Sequence, residues 1–388
     1  MSYRTMSYRT TPSLTLLATL ALMTSTVAAC AAVEDLPGST STSATPPASP
    51  FDPTEKPPNP TGPLLAYRAI DEIGLVDGTN IVAAVSGTFG SSNDLITTED
   101  GKFVFARTTE NKLATLDVES GKGATREVPV GPTLGTGGAS TIMWLEQPNR
   151  LMQLDLADPD SQPVLHQTVD LPPVAGTLLR EPRLVAARGG TAVIARVEAP
   201  PSPFGGPDTL YAVRGPAAPT PLGQADANSP VSVARLSPDG AELTYALYRS
   251  TDSSCGTAAV VLSAADGTQQ TFEVAGPDAD SGSRVPKLWW PVTGPPKLSL
   301  LTWRCDRPET SSPLVWQLAG EAPDTIEEVS PPTSALQTID VAPGQRALIL
   351  PETGGYAEPT GTLVLEESTR RISIKSGVDA IAAIRPSP

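Results

Sequence analysis

The chain of 388 residues holds a single histidine, His166, and only three cysteines. One histidine excludes multi-histidine metal sites and leaves little room for Ser–His or Cys–His nucleophilic catalysis, so neither a metal site nor a cofactor is expected. Aromatic residues make up 5% of the chain. Positive charge is also scarce: 27 lysines and arginines stand against 42 aspartates and glutamates, a formal net charge of −15. Such a balance is unsuited to nucleic-acid phosphates, and no nucleic-acid partner is expected. The N-terminal apolar run, Leu14 to Met23, is too short and too Thr-rich to span a bilayer as a mature helix. Proline and glycine are abundant instead, at 42 and 32 residues. Both interrupt helices, which excludes a helix-rich fold and leaves short strands between turns.

The first thirty residues carry an address. Arg4 and Arg9 precede an apolar run from Leu14 to Met23, the charge and hydropathy order of an export signal. The opening MSYRT-MSYRT repeat makes Met6 a second candidate start. Val27-Ala28-Ala29-Cys30 then resembles the lipobox of bacterial lipoproteins. That resemblance implies a signal peptide over 1–29, cleavage before Cys30 and a diacylglycerol on its sulfur. Each buried acyl carbon contributes about 0.8 kcal/mol, and two or more chains anchor stably, so the membrane is an expected partner through this lipid. Residues 30–63 are dominated by Ser, Thr and Pro and cannot bury enough apolar surface to fold, so they are expected to form a disordered tether. The globular region is then 64–388.

From Leu64 onward, β-rich runs of four to eight residues alternate with Gly, Pro, Asp and Asn turns, the pattern of an all-β fold. The runs repeat. In 94–131 four are visible, Asp94–Thr97, Lys102–Arg107, Lys112–Val118 and Ala124–Val130, parted by turns at Glu99-Asp100-Gly101, Glu110-Asn111 and Ser120-Gly121. A second unit reads VSVARLSPDGAELTYALY over 231–248, and a degenerate copy, LQTIDVAPGQRALIL, occupies 336–350. Weaker copies lie in 139–170, 183–223, 285–330 and 336–375. A spacing of about 40–50 residues with four strands per unit matches β-propeller blades.

The residues also carry a family resemblance. LSPDGAELTYALY resembles the SPDG repeat of TolB-like, WD40-like bacterial propellers, and NKLATLDVESGKGATREVPVG resembles the YVTN-type repeat. Together the resemblances imply a β-propeller over most of 91–375, although no α/β domain precedes it as in TolB. Six units are recognisable, and two pieces remain, 64–88 and VDAIAAI at 378–384. The expectation is that the C-terminal run pairs with the N-terminal piece to complete a seventh four-stranded blade and remove a free edge. Six blades, or a sandwich, are the alternatives.

Cys255 and Cys305 remain after Cys30. An even pair in an exported domain suggests a disulfide. Each follows the second strand of its unit, in STDSSCGT and LLTWRCDRP, so the pair would bridge like-placed loops of adjacent blades. Trp289, Trp290 and Trp303 cluster in one unit. Trp289 and Trp290 must point to opposite faces of a strand, one packing between blades and the other free to line a channel or partner ledge. Gly135-Thr136-Gly137-Gly138 reads as an inter-blade turn, and Asp158/Asp160 and Asp278/Asp280 as solvated turns. There is no G-x-S-x-G elbow and no phosphate loop, and no catalytic residue is assigned.

Two functions remain open. One is a lipid-anchored, non-catalytic binding or scaffold module on the outer face of the cytoplasmic membrane, or on the periplasmic face of the outer membrane in a Gram-negative cell. Its partner would be an envelope protein or small ligand. The other is a propeller-based hydrolase, lyase or quinoprotein-like enzyme using carboxylates in an axial funnel. Inward carboxylates with perturbed pKa values would favour the enzyme.

Overall fold

A computed structural model describes residues 63–384 apart from 93, 175–179, 199–204, 251–254, 275–279, 319–324, 353–359 and 369. The expected signal peptide, Cys30 and nearly all of the tether lie outside the described residues, as does Asp278. Among the described residues every regular element is a β-strand, and no helix is long and apolar enough to cross a membrane.

The strands pair antiparallel and in chain order. β1 (Leu64–Ala69), β2 (Glu72–Asp77) and β3 (Asn80–Ser86) are followed by β4 (Phe103–Arg107), β5 (Leu113–Asp117) and β6 (Gly123–Arg126). β7 (Gly135–Gly138), β8 (Thr141–Glu146), β9 (Arg150–Asp155) and β10 (Val164–Thr168) form a four-stranded sheet. So do β11 (Arg183–Arg188), β12 (Thr191–Val197), β13 (Asp208–Arg214) and β14 (Thr220–Gln224). A further one joins β15 (Val233–Leu236), β16 (Leu243–Ser250), β17 (Gly256–Ser263) and β18 (Gln269–Val274). Next come β19 (Ser281–Trp289), β20 (Lys297–Arg304), β22 (Leu314–Leu318) and β23 (Ile326–Glu328), with the short β21 (Arg307–Thr310) pairing back on β20 as a fifth strand. β24 (Gln337–Ala342), β25 (Gln345–Pro351), β26 (Gly361–Glu367) and β27 (Arg370–Ala383) complete the set.

β27 has two partners. Its first half pairs with β26, from Glu367↔Arg370 to Gly361↔Val378, and its second half pairs with β1, from Ala69↔Val378 to Leu65↔Ala383. Gly377, at φ +68, lies where the partner changes, in a backbone conformation that favours glycine. The result is one seven-stranded sheet ordered β24-β25-β26-β27-β1-β2-β3.

Successive side chains of a strand leave opposite faces. In inner strands such as β8 and β12 both faces are buried, which is why these runs read as nearly continuous apolar stretches, whereas β6, β10 and β14 are largely exposed. Phe105 packs towards Trp144 and Leu154 on β8 and β9, while its neighbours Val104 and Ala106 pack towards Ile73 and Leu75 on β2. Apolar clusters of this kind fill each junction between consecutive sheets. They join β7–β10 to β11–β14, β11–β14 to β15–β18, and β15–β18 to β19–β23. Trp289 with Leu348 joins β19–β23 to β24–β27, and Tyr67 with Ile349 and Leu363 joins β24–β27 to β1–β3.

Two expectations change. The run Asp94–Thr97 contributes one bridge, Thr97↔Val104, flanked by the Phe105 N–H to Ile96 carbonyl (2.9 Å) and Thr98 N–H to Phe103 carbonyl (3.0 Å) bonds, too short a ladder for a fourth strand, so β4–β6 is a three-stranded sheet. Gly135–Gly138 is a strand and not a turn. A Cβ on Gly135 would stand 2.5 Å from the Ala187 Cβ, so glycine is what lets β7 approach β11. Cys255 follows β16 and Cys305 follows β20, and the structure joins them as a disulfide with a Cα–Cα distance of 5.3 Å. A crosslink closing a loop of that length constrains the unfolded chain by about 4 kcal/mol in the chain-entropy description.

Candidate functional site

Six segments converge on one cavity of about 230 Å³. Five of them include the first strand of a sheet or the residues beside it: Ser92 with Asp94–Thr97, Arg188, Arg235 with Leu236 and Pro238, Lys287–Thr293, and Gln337–Asp340; the sixth is the second half of β27, Asp379–Ala383, and Lys297 on β20 completes the lining. Gln337 ties two of them together, donating from Nε2 to the Ile381 carbonyl (3.0 Å) and accepting the Ile381 N–H at Oε1 (3.2 Å).

The cavity is charged inside. Arg68, on β1, is buried behind its wall and clasps Asp379: Nε donates to Oδ1 and Nη2 to Oδ2, each at 2.8 Å. The Ser92 amide adds a third bond to Oδ2 at 3.1 Å, and Arg68 Nη2 also donates to the Ser92 carbonyl at 2.9 Å. Burial works against the Asp379 carboxylate, but the Arg68 guanidinium holds its pKa below the usual range. Asp94 accepts the Leu134 amide (3.0 Å) and the Ser92 hydroxyl (3.0 Å), and burial raises its pKa.

The cations are less well matched. Lys287 is buried, and among the described residues the nearest carboxylate to its Nζ is Asp379 Oδ2 at 3.9 Å, beyond hydrogen-bond reach. Burial lowers its pKa to about 8. Arg235 donates from Nη1 to the Ala234 carbonyl (2.9 Å), and burial, with Arg68 and Arg188 nearby, brings its pKa down to about 10.

The expected aromatic trio divides. Trp289 is buried among Val315, Ala335 and Leu348, and Trp290 is half-buried in the cavity wall, its Nε1 donating to the Arg235 carbonyl at 3.4 Å. Trp303 lies elsewhere. It faces Gly282 across β19 and β20, where a Cβ would meet the indole at 2.3 Å. His166 is exposed on β10, and Asp158 and Asp160 form an exposed turn. No group of three or more His, Cys, Asp or Glu side chains among the described residues could hold a metal.

The charged residues that define the cavity were missed in the sequence. A signal was present: each interrupts an apolar β run, Arg68 in LAYRAI, Arg235 in VARL, Lys287 in VPKLWW and Asp379 in VDAIAAI. An ionisable group inside such a run is expensive to bury unless it is matched or used.

No family model and no curated protein matches the chain. Solved structures show distant likenesses at 11% identity. TolB from Acinetobacter baumannii aligns over 84% of this chain and 68% of its own, with a TM-score of 0.39. The β-propeller domain of Cps50 (Swd1) from Myceliophteria thermophila aligns over 75% and 93%, with a TM-score of 0.45. The tricorn protease aligns over 79% and 34%, with a TM-score of 0.42. All three TM-scores lie below one half, so the likeness by itself decides neither fold nor function.

Proposed function

We propose that this chain is a lipid-anchored, extracytoplasmic β-propeller of seven blades, closed through β27, that serves as a non-catalytic binding module of the bacterial cell envelope. One observation carries the architecture. The apolar junctions follow one another from sheet to sheet and return to the start, with β27 the last strand of one unit and the first of the next. Such an arrangement suits a ring, whose first strands surround a central cavity. The lipobox-like Val27-Ala28-Ala29-Cys30 supports the anchor, and the Cys255–Cys305 crosslink suits an oxidising compartment.

Binding is favoured over catalysis by the state of the carboxylates. Asp379 is engaged at both oxygens by Arg68, which leaves it a poor general base, and the cavity is richer in cations than in free carboxylates. The anchor is tested on protein purified from its native membrane. Mass spectrometry should find residues 1–29 removed and a lipid thioether on Cys30, and Cys30→Ala should move the protein out of the membrane fraction. A free thiol at Cys30, or unchanged fractionation of the variant, overturns the anchored reading.

A further inference from the structure

We infer that the central cavity is the ligand site of the binding module proposed above, on which this inference rests, and that it takes a small organic anion, its carboxylate or phosphate at Arg235 and Lys287 and its apolar body against Trp290. The first ground is the charge balance. Arg188, Arg235, Lys287 and Lys297 line the cavity together with Asp94, Asp340 and Asp379. Arg68 stands behind the wall, so five cations meet three carboxylates in a chain whose overall charge is −15.

The second ground is how those carboxylates are spent. Asp379 is held by Arg68 and the Ser92 amide, and Asp94 by the Leu134 amide and the Ser92 hydroxyl, while Asp340 is exposed. Among the described residues no hydrogen bond to Lys287 Nζ is found, and its closest anion is the already occupied Asp379 Oδ2 at 3.9 Å. A fold selected for stability alone would place an apolar side chain there, since a buried charge without a close partner is costly. An arriving anion supplies the missing counter-charge. At neutral pH both cations are charged, Arg235 because its pKa is about 10 and Lys287 because its pKa is about 8.

The third ground is the shape and polarity of the wall. A volume of about 230 Å³ admits a small molecule or the tip of a larger one. Trp290, Pro291 and Val292 form an apolar lip, with Val292 56% exposed, and Trp289 beneath them is locked between sheets. A charged interior below an aromatic lip recognises an amphipathic anion.

The test is isothermal titration of the full-length protein in detergent with benzoate, phenyl phosphate and the uncharged benzamide. At least one of the two anions should saturate the protein at one equivalent, and benzamide should not bind. The better anion identifies the ligand as carboxylate or phosphate. Lys287→Met and Arg235→Met should each weaken that anion about tenfold or more. The inference is overturned if neither anion binds below about 10 mM, if benzamide binds equally well, or if both folded variants keep wild-type affinity. Should the variants fail to fold, the wild-type protein alone decides. A negative result here with a lipid found on Cys30 removes the ligand and leaves the anchored module standing. Anion binding with an unmodified Cys30 does the reverse.

Discussion

Lys287 shows how one side chain can work against the fold that holds it. Its ammonium is buried on β19 with no carboxylate of the described residues closer than 3.9 Å, and burial brings its pKa from 10.5 to about 8. Between those values the unfolded chain holds a proton that the folded chain has released. Stability therefore rises with pH across this window, and is lowest, so far as Lys287 is concerned, below pH 8. The gain from pH 7.5 to 10 should be on the order of 2–3 kcal/mol. Urea unfolding at the two pH values should show it in the wild type, and Lys287→Met should flatten the dependence while raising stability at pH 7.5. The window closes near pH 10, because the buried Tyr67 and Tyr245 have raised pKa values and their ionisation in the unfolded chain then favours unfolding. Neither the burial of Lys287 nor its distance from Asp379 could be read from VPKLWW, since both depend on strands far away in the chain. What could be read is that a lysine sits inside an apolar run.

Turns make the repeat visible at the level of the element. In Ser237-Pro238-Asp239-Gly240 the Gly240 amide bonds the Ser237 carbonyl (2.9 Å), and the Ser237 hydroxyl accepts from Glu242 N–H (2.9 Å) and donates to Asp239 Oδ1 (2.5 Å). Thr98-Glu99-Asp100-Gly101 repeats every one of these bonds, with Phe103 in the place of Glu242. A short hydroxyl, an aspartate two residues on and a glycine free to take positive φ suffice to build this turn, so it was legible in the sequence. The setting of each turn was not. Gly240 has φ +71, and a Cβ there would lie 2.7 Å from the Arg188 carbonyl oxygen, whereas Gly344 has φ +75 and open space around it. Gly344→Ala should cost only the left-handed strain, about 1 kcal/mol, and Gly240→Ala clearly more, about 2 kcal/mol or above, because a backbone carbonyl cannot rotate away. Thermal unfolding of the two variants side by side checks the order. Gly135–Gly138 misled for a related reason: four small residues resemble a loop until the neighbouring β11 is seen to need the space.

Across the whole molecule the two ends of the described chain are held by β1 on β27 and by the buried pair Arg68–Asp379, 311 residues apart. Removing one member leaves the other buried and unmatched. Arg68→Met should therefore destabilise by about 3–5 kcal/mol in urea unfolding, and adding Asp379→Leu should recover part of the loss. The pairing of 378–383 with 64–69 places the C-terminal VDAIAAI run against the N-terminal strands, and the sequence had suggested this through an unmatched apolar run at one end and an incomplete unit at the other. Most strands and the Asp-Gly turns were written locally, because each depends on residues within about one turn or one strand of each other, whereas Asp94–Thr97 and Gly135–Gly138 were decided by neighbouring sheets. The cation-rich cavity was decided only by tertiary structure. It draws Arg188, Arg235, Lys287 and Asp379 from four separate sheets, and the burial that lowers the pKa of Arg235 and Lys287 is a property of the packed assembly that no local stretch of chain possesses.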